Sequence, residues 1–411
     1  MVTKENIEKA YSVLKDIVVK TPLQYSERLS NKYDAKIYLK REDLQPVRSY
    51  KIRGAYNLIS SLSDEEKSRG VICASAGNHA QGFAYACAKL QIKGIVYMPE
   101  VTPRQKIDKV RKFGGEFIQI ELFGRTFDEA YKASDERAKQ EGLIYVHPFD
   151  DERTIAGQGT VGLEILEELP EADAIVMPIG GGGLSAGVST YVKSVKPEIE
   201  IYGIDPAGAP KTVEAIKLGQ PTMLETIDTF VDGAAVKKIG EKTFEIIKNN
   251  IKKVLTIPEG KVCTTMIELY QNEGIIAEPA GALSVASLDS IAEDIKGKTI
   301  ICVISGGNND ISRYPEIMER SLVYEGLKHY FIIEFVQKPG QLKLFLNSLG
   351  QNDDIVRFEY LKKTNKEFGP ALVGIELQKR EDYEPLLQKL TDSGFKFFKI
   401  DSNEMLYRYL V

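Results

Sequence analysis

The chain of 411 residues has no tryptophan and only three histidines, His79, His147 and His329. None of the three has metal-ligand spacing, so nothing points to a histidine-built zinc site, and no metal ion is expected. Cysteine is scarce too. Cys73, Cys87, Cys263 and Cys302 form no Cys-x-x-Cys pair, and a chain this long can bury a core without disulfides. Cys73 and Cys302 lie in apolar, strand-like runs, where buried, reduced thiols are expected. No apolar run reaches the ~18 residues needed to cross a bilayer. The start, Met1-Val2-Thr3-Lys4-Glu5-Asn6, is polar with no signal-peptide core behind it, which points to the cytoplasm. Net charge is −5 and no dense Lys/Arg patch stands out, so nucleic-acid binding has no support.

What is present is ordinary for a globular protein: 43% apolar and 27% charged residues, with length for two or three domains. Short apolar runs alternate with amphipathic stretches from about residue 70 to residue 305. The strand candidates are Gly70–Ala74, Gly94–Met98, Glu116–Ile120, Leu143–Val146, Ala174–Ile179, Ile199–Ile204 and Thr299–Ile304. The helix candidates are Gln81–Leu90, Thr102–Phe113, Thr126–Gln140, Thr154–Leu169, Leu184–Ser194 and Gly260–Asn272, with Lys4–Val18 before them. Strand then helix, repeated, implies parallel sheets in an α/β architecture. After Tyr324–Tyr330 the order becomes strand Tyr330–Val336, helix Gln341–Leu349, strand Ile355–Lys362, strand Ala371–Leu377, helix Asp382–Ser393 and strand Lys396–Ile400. That is the βαββαβ, ferredoxin-like plan. The expected division is therefore 1–324, with a smaller subdomain within about 52–150, and 325–411.

Four motifs carry the chemistry. Lys51 lies in Arg48-Ser49-Tyr50-Lys51-Ile52-Arg53-Gly54-Ala55. A lysine forms an imine only as the free amine, so burial or cationic neighbours such as Arg48 and Arg53 must lower its pKa. Taken alone, Lys51 reads more simply as a solvated surface residue. Ser75-Ala76-Gly77-Asn78-His79 follows one apolar strand and precedes a helix, exposing amide N–H groups to an anion such as a carboxylate. It reads equally well as a helix cap. Gly180-Gly181-Gly182-Gly183-Leu184 is sharper: four residues without Cβ lead into a helix and can wrap a phosphate. A dinucleotide fingerprint, Gly181-x-Gly183-x-x-Ala186 with Asp205 on the next strand, is the rival reading. That fingerprint usually occupies the first βα turn, and it leaves Lys51 and the Ser75 loop without a role. Ser305-Gly306-Gly307-Asn308 ends the last apolar strand and can set a hydroxyl beside a pyridine nitrogen. A plain strand-to-loop turn is the alternative. Glu278, before Pro279-Ala280-Gly281, is either a helix-capping charge or a group near a cofactor.

Together these residues resemble the fold-type II pyridoxal phosphate enzymes, and more closely the biosynthetic threonine dehydratases (threonine ammonia-lyases), over essentially the whole chain. The resemblance implies that Lys51 binds pyridoxal 5'-phosphate covalently. It puts the substrate carboxylate on Ser75, Ala76, Gly77, Asn78 and His79, with Asn78 also on the cofactor ring oxygen. Gly180, Gly181, Gly182, Gly183 and Leu184 would take the phosphate, and Ser305 the ring nitrogen. Tyr50 stands where many members carry Phe. Asp205 stands where relatives such as serine racemase use Glu in a divalent-cation site. The C-terminal segment resembles a single ACT-like regulatory module, as in the short form of the enzyme. The implied substrate is L-threonine, with L-serine as a second possibility, the implied effectors are isoleucine and valine, and the implied assembly is a homotetramer. Serine racemase, a β-replacement synthase, a nicotinamide dehydrogenase and a non-enzymatic amino-acid sensor remain as other readings.

Overall fold

The computed structural model describes residues 1–360, 362, 366–400 and 407. The chain divides into two compact units, residues 1–259 with 269–309, and residues 260–268 with 310–411. Residues 310–324 thus group with the C-terminal unit, ahead of the division expected near Tyr324–Tyr330.

The first unit contains strands β1 (Leu23–Tyr25), β2 (Lys36–Arg41), β3 (Val71–Ala74), β4 (Gly94–Met98), β5 (Ile118–Leu122), β6 (Ile144–Tyr145), β7 (Ala174–Pro178), β8 (Glu200–Pro206), β9 (Lys253–Ile257) and β10 (Thr299–Ile304). They form two sheets. One has the order β1-β2-β10-β7-β8-β9, the other β5-β4-β3-β6. Every pairing is parallel except β1 with β2. The chain leaves the first sheet after β2, completes the second, and returns at β7. Every residue of β3 and β7 is buried, as expected for parallel strands covered by helices on both faces.

All seven expected strand segments contain a strand, within a few residues at the ends. Three further strands were not expected. β2 reads Lys36-Ile37-Tyr38-Leu39-Lys40-Arg41, too cationic to look like an interior strand. Yet it lies between β1 and β10. Its Lys40 is fully buried because the fold supplies counter-charges.

Those counter-charges form a dry network of two cations and two anions. Arg53 donates to both oxygens of Glu42 at 2.8 Å and to both oxygens of Glu164 at 2.7 and 2.9 Å. Lys40 donates to Glu164 at 2.6 Å and to the Thr21 carbonyl at 2.6 Å. The Thr21 hydroxyl donates to Glu42. None of the four charged side chains is more than 1% exposed. With charge balanced and the donors of Arg53 matched in pairs, the desolvation penalty is offset in place.

The helix Lys51–Ser60 carries Arg53, and the helix Glu152–Glu168 carries Glu164. The second of these also packs the helix Gly183–Val195. Glycine allows these approaches. A Cβ on Gly157 would lie 2.4 Å from the Arg53 carbonyl, and one on Gly187 2.3 Å from the Ile155 carbonyl. The helix that starts at Lys51 and the helix that follows the four-glycine loop are therefore both seated on one support.

In the second unit, β11 (Lys328–Val336), β12 (Asp354–Tyr360), β13 (Phe368–Glu376) and β14 (Lys396–Ile400) form an antiparallel sheet of order β12-β13-β11-β14. Helices Gln341–Ser348 and Tyr383–Asp392 complete the βαββαβ plan. Phe331, Ile333, Phe335, Phe345, Leu386 and Phe395 share its core. The expected strand Ile355–Lys362 includes Leu361, which lies outside the described residues.

Glu164→Gln leaves two buried cations facing one carboxylate. It is expected to destabilise the first unit by about 3–5 kcal/mol, read as a lower urea midpoint; an unchanged midpoint would show that the network contributes little.

Candidate active site

The motif residues gather at the carboxyl ends of β3, β7 and β10, where open parallel sheets bind ligands. Lys51 is the first residue of its helix, and the end of β10 holds that start in place. Tyr50 donates its backbone N–H to the Ser305 carbonyl at 3.2 Å, and Ser49 bridges Gly306. The Lys51 Nζ donates to the Pro148 carbonyl at 3.0 Å and lies 5.2 Å from the centre of the Tyr50 ring. Burial pushes the amine down to about 8, against a smaller upward pull from the Glu278 carboxylate. The two arginines offered by the sequence are engaged elsewhere. Arg53 belongs to the buried network, and Arg48 donates to the Gly307 carbonyl at 3.2 Å. Desolvation, rather than a neighbouring cation, is what frees the amine.

The Pro148 carbonyl also accepts from Gln158 Nε2 at 3.1 Å. The other end of that amide, Oε1, is buried without a partner, 2.3 Å from where a Cβ on Gly183 would stand. Lys51 and the glycine loop thus share one link.

In that loop Gly182 has φ +96° and is the N-cap of the helix Gly183–Val195, with no side-chain cap. A Cβ on Gly181 would fall 2.2 Å from the Phe149 ring. The Gly181 carbonyl accepts from Thr243 Oγ1 at 2.7 Å and from the Gly240 N–H at 3.2 Å, which holds the turn from outside. The first-turn amides are left for an anion. Leu184, on that turn, is buried.

Gly180 packs on Gly233, whose own missing Cβ would lie 3.4 Å from Glu278 Oε1. Glu278 accepts from Asn78 Nδ2 at 2.6 Å and from the Asn308 N–H at 3.2 Å. Asn308 Nδ2 donates to Asn78 Oδ1 at 2.8 Å and to the Val47 carbonyl at 2.7 Å. Burial, then repulsion from Asp232, raises the Glu278 carboxyl to about 7, against the pull of the two asparagine donors. The Glu278 N–H donates to the Gly306 carbonyl at 3.1 Å, which returns to β10. The contacts therefore close a ring: Lys51, Pro148, Gln158, the glycine loop, Gly233, Glu278, Asn78 with Asn308, Gly306 with Ser305, and Tyr50.

The Ser75 loop enters this ring at Asn78. Gly77 is the N-cap of the helix Asn78–Leu90 and makes no side-chain cap, so that helix begins three residues before the expected Gln81. Ser75 Oγ accepts the Gly77 N–H at 3.2 Å, while Ser75 to Asn78 are half-buried. The His79 side chain turns inward. Its Nε2 is 2.9 Å from the Val146 carbonyl, and burial drives its pKa down to about 3, so only its main chain faces the loop. Pro148 and Gln158 carried no sequence signal, because one acts through its carbonyl and the other through its place on a helix. Asn308 was visible as the end of the Ser305 motif but had no role there.

The ring fits pyridoxal phosphate. It combines an amine freed by desolvation, an uncapped helix start behind glycines, and a buried amide oxygen without a partner at Gln158 Oε1, beside the glycine loop. Residues 14–306 match the family described as pyridoxal-phosphate dependent enzyme, and residues 319–410 match the C-terminal regulatory domain of threonine dehydratase. The biosynthetic L-threonine dehydratase of Halalkalibacterium halodurans is 52% identical over 99% of both chains. That of Bacillus subtilis is 51% identical over 100% of this chain and 98% of its own. The chain belongs to the biosynthetic threonine dehydratase family of pyridoxal phosphate enzymes.

Solved structures agree on the fold. The processed form of threonine deaminase isoform 2 from Solanum lycopersicum superposes with a TM-score of 0.74 at 38% identity, covering 77% of this chain and 92% of its own. Maize serine racemase gives 0.72 at 29% identity, covering 79% and 98%. The dinucleotide reading fails on Asp205, whose oxygens accept from Lys211, Thr212 and Val213 and leave nothing for a ribose. All four cysteines are buried and none is in a disulfide, and no helix among the described residues is long and apolar enough to cross a membrane.

Without cofactor, the reaction of Lys51 with an amine-directed reagent should rise with pH through an inflection near 8. Glu278→Gln removes the carboxylate that pulls this value up, so the inflection should move to lower pH. An inflection above 10 in the unaltered protein would contradict the desolvated site.

Proposed function

We propose that this threonine dehydratase family member is a threonine ammonia-lyase that converts L-threonine to 2-oxobutanoate and ammonia, the first step of isoleucine biosynthesis. The observation that carries this reading over its neighbours is the match of residues 319–410 to the threonine dehydratase regulatory domain, since maize serine racemase, similar in fold, covers only 79% of this chain.

Each side chain has a role. Lys51 would hold the cofactor and, as a neutral amine, would take the α-proton of the substrate. Ser75, Ala76, Gly77, Asn78 and His79 form the loop that binds the substrate carboxylate, with Asn78 also on the cofactor ring oxygen; the Ser75 and Gly77 N–H groups are already engaged, by the Tyr97 carbonyl and Ser75 Oγ. Gly180 to Leu184 hold the phosphate. Ser305 would offer the ring nitrogen a hydroxyl, which does not force protonation as a carboxylate would and so favours elimination over transamination. Glu278 supports this wall through Asn78 and Asn308. Bound pyridoxal phosphate supplies the electron sink for the charge left at the α-carbon. No metal ion takes part. L-Serine is a second substrate for the same residues.

We further assign residues 1–324 to catalysis and 325–411 to regulation by isoleucine, with valine as a second effector, in a cytoplasmic homotetramer. These assignments rest on the family and on the ferredoxin-like sheet of the second unit.

The purified protein should absorb in the visible through its bound cofactor, and adding L-threonine should shift that band as 2-oxobutanoate accumulates. A band that shifts without keto acid would favour a racemase or synthase. Lys51→Ala should lose the covalent cofactor band and lower kcat by at least about a hundredfold; near-native turnover would refute the role of Lys51. Isoleucine should raise the threonine concentration needed for half-maximal rate in the full-length enzyme. No response at any threonine concentration would overturn the regulatory assignment.

A further inference from the structure

Lys211 belongs to none of the motifs above, yet its side chain has no exposure to solvent. It opens the helix Lys211–Leu218, after β8. Unlike Lys40 and Arg53, which share two carboxylates, it faces one. Its Nζ donates to Asp205 Oδ1 at 2.6 Å and to the main-chain carbonyl of Ile179. Asp205 is otherwise filled by its own neighbours: Thr212 Oγ1 at 3.0 Å on Oδ1, and the Thr212 and Val213 N–H groups at 2.7 and 3.3 Å on Oδ2.

The second acceptor is the telling one. Ile179 immediately precedes the four-glycine loop, and its N–H makes the last rung to β8, on the Ile204 carbonyl at 2.8 Å. Its carbonyl lies beyond that rung, at the root of the loop, and the ammonium is what holds it. A carboxylate oxygen and a main-chain carbonyl converging on one buried positive charge are the oxygen donors that proteins present to cations. Here the charge is carried on a side chain.

We infer that Lys211 is a tethered cation. Its ammonium neutralises Asp205 and pins the Ile179 carbonyl, and so orders Gly180–Gly183 without any free cation. This rests on reading that loop as the phosphate site. Lys211 is a positioning residue that touches no reacting atom. Removing its side chain while leaving both oxygen donors should create a binding site for a small free cation.

The test uses full-length Lys211→Ala and Lys211→Met, each compared with the unaltered enzyme. Pyridoxal phosphate affinity and thermal midpoint are measured in choline chloride, then in potassium, ammonium or methylammonium chloride at equal ionic strength. In choline, Lys211→Ala should bind the cofactor about tenfold more weakly or worse, the loss of one buried charge-assisted contact. Ammonium or potassium should restore most of that affinity and raise the midpoint in a saturable way. The unaltered enzyme should not distinguish the salts. Lys211→Met fills the space without charge and should be weakened but not rescued.

Should Lys211→Ala fold only in ammonium or potassium, that dependence is itself the expected rescue. A variant that no cation rescues, or an unaltered enzyme with the same cation requirement, overturns the inference. Gly182→Ala tests the loop separately. If it leaves cofactor affinity unchanged, the phosphate-loop reading fails whatever Lys211 does.

Discussion

Four buried charges fix the helix that begins at Lys51. Arg53, Lys40, Glu42 and Glu164 sit beneath the helix that begins at Lys51, and Arg53 is two residues along that helix. Such a network is a poor source of net stability, because desolvation consumes most of the Coulombic gain. What it supplies is geometry. Each guanidinium nitrogen has a matched oxygen, so the helix cannot slide or rotate without stranding a buried charge. Lys51 inherits that register and needs no strong contact of its own beyond the Pro148 carbonyl.

The same exclusion of water sets the chemistry. Burial lowers the Lys51 amine and the His79 ring and raises the Glu278 carboxyl, all toward the neutral form. A neutral lysine can take a proton, and a neutral histidine adds no cation to the site. Glu278 is held by two asparagine donors, which keep its carboxyl within reach of ionisation near neutrality. One physical condition, burial, thus tunes three groups that lie far apart in sequence.

Much of this was legible in the chain. The Val71–Ala74 and Ala174–Pro178 runs are apolar throughout because parallel strands are covered on both faces, and such runs read clearly. The four glycines were legible because few other needs explain a run without Cβ atoms before a helix. The βαββαβ order at the C-terminus was legible from its turns and alternation. β2 was not, since three of its six residues are cations, and the buried one, Lys40, finds its carboxylate at Glu164, more than a hundred residues away. The cause of the Lys51 shift was left open between burial and the neighbouring Arg48 and Arg53, and the structure decides for burial.

The amino-acid sequence by itself determined the inventory: a lysine, three small-residue turns at strand ends, an acidic residue before a proline, and the order of strands and helices. Those are local properties, set by backbone sterics and by hydrophobic periodicity. Only the tertiary structure decided which groups meet. Gln158 links Lys51 to the glycine loop, Asn308 links Asn78 to Glu278, and Lys211 reaches the root of the glycine loop. Such contacts depend on the crossing of helices and sheets over tens to hundreds of residues. Charge balance and desolvation, which fix the protonation of the site, exist only once the chain has closed around them.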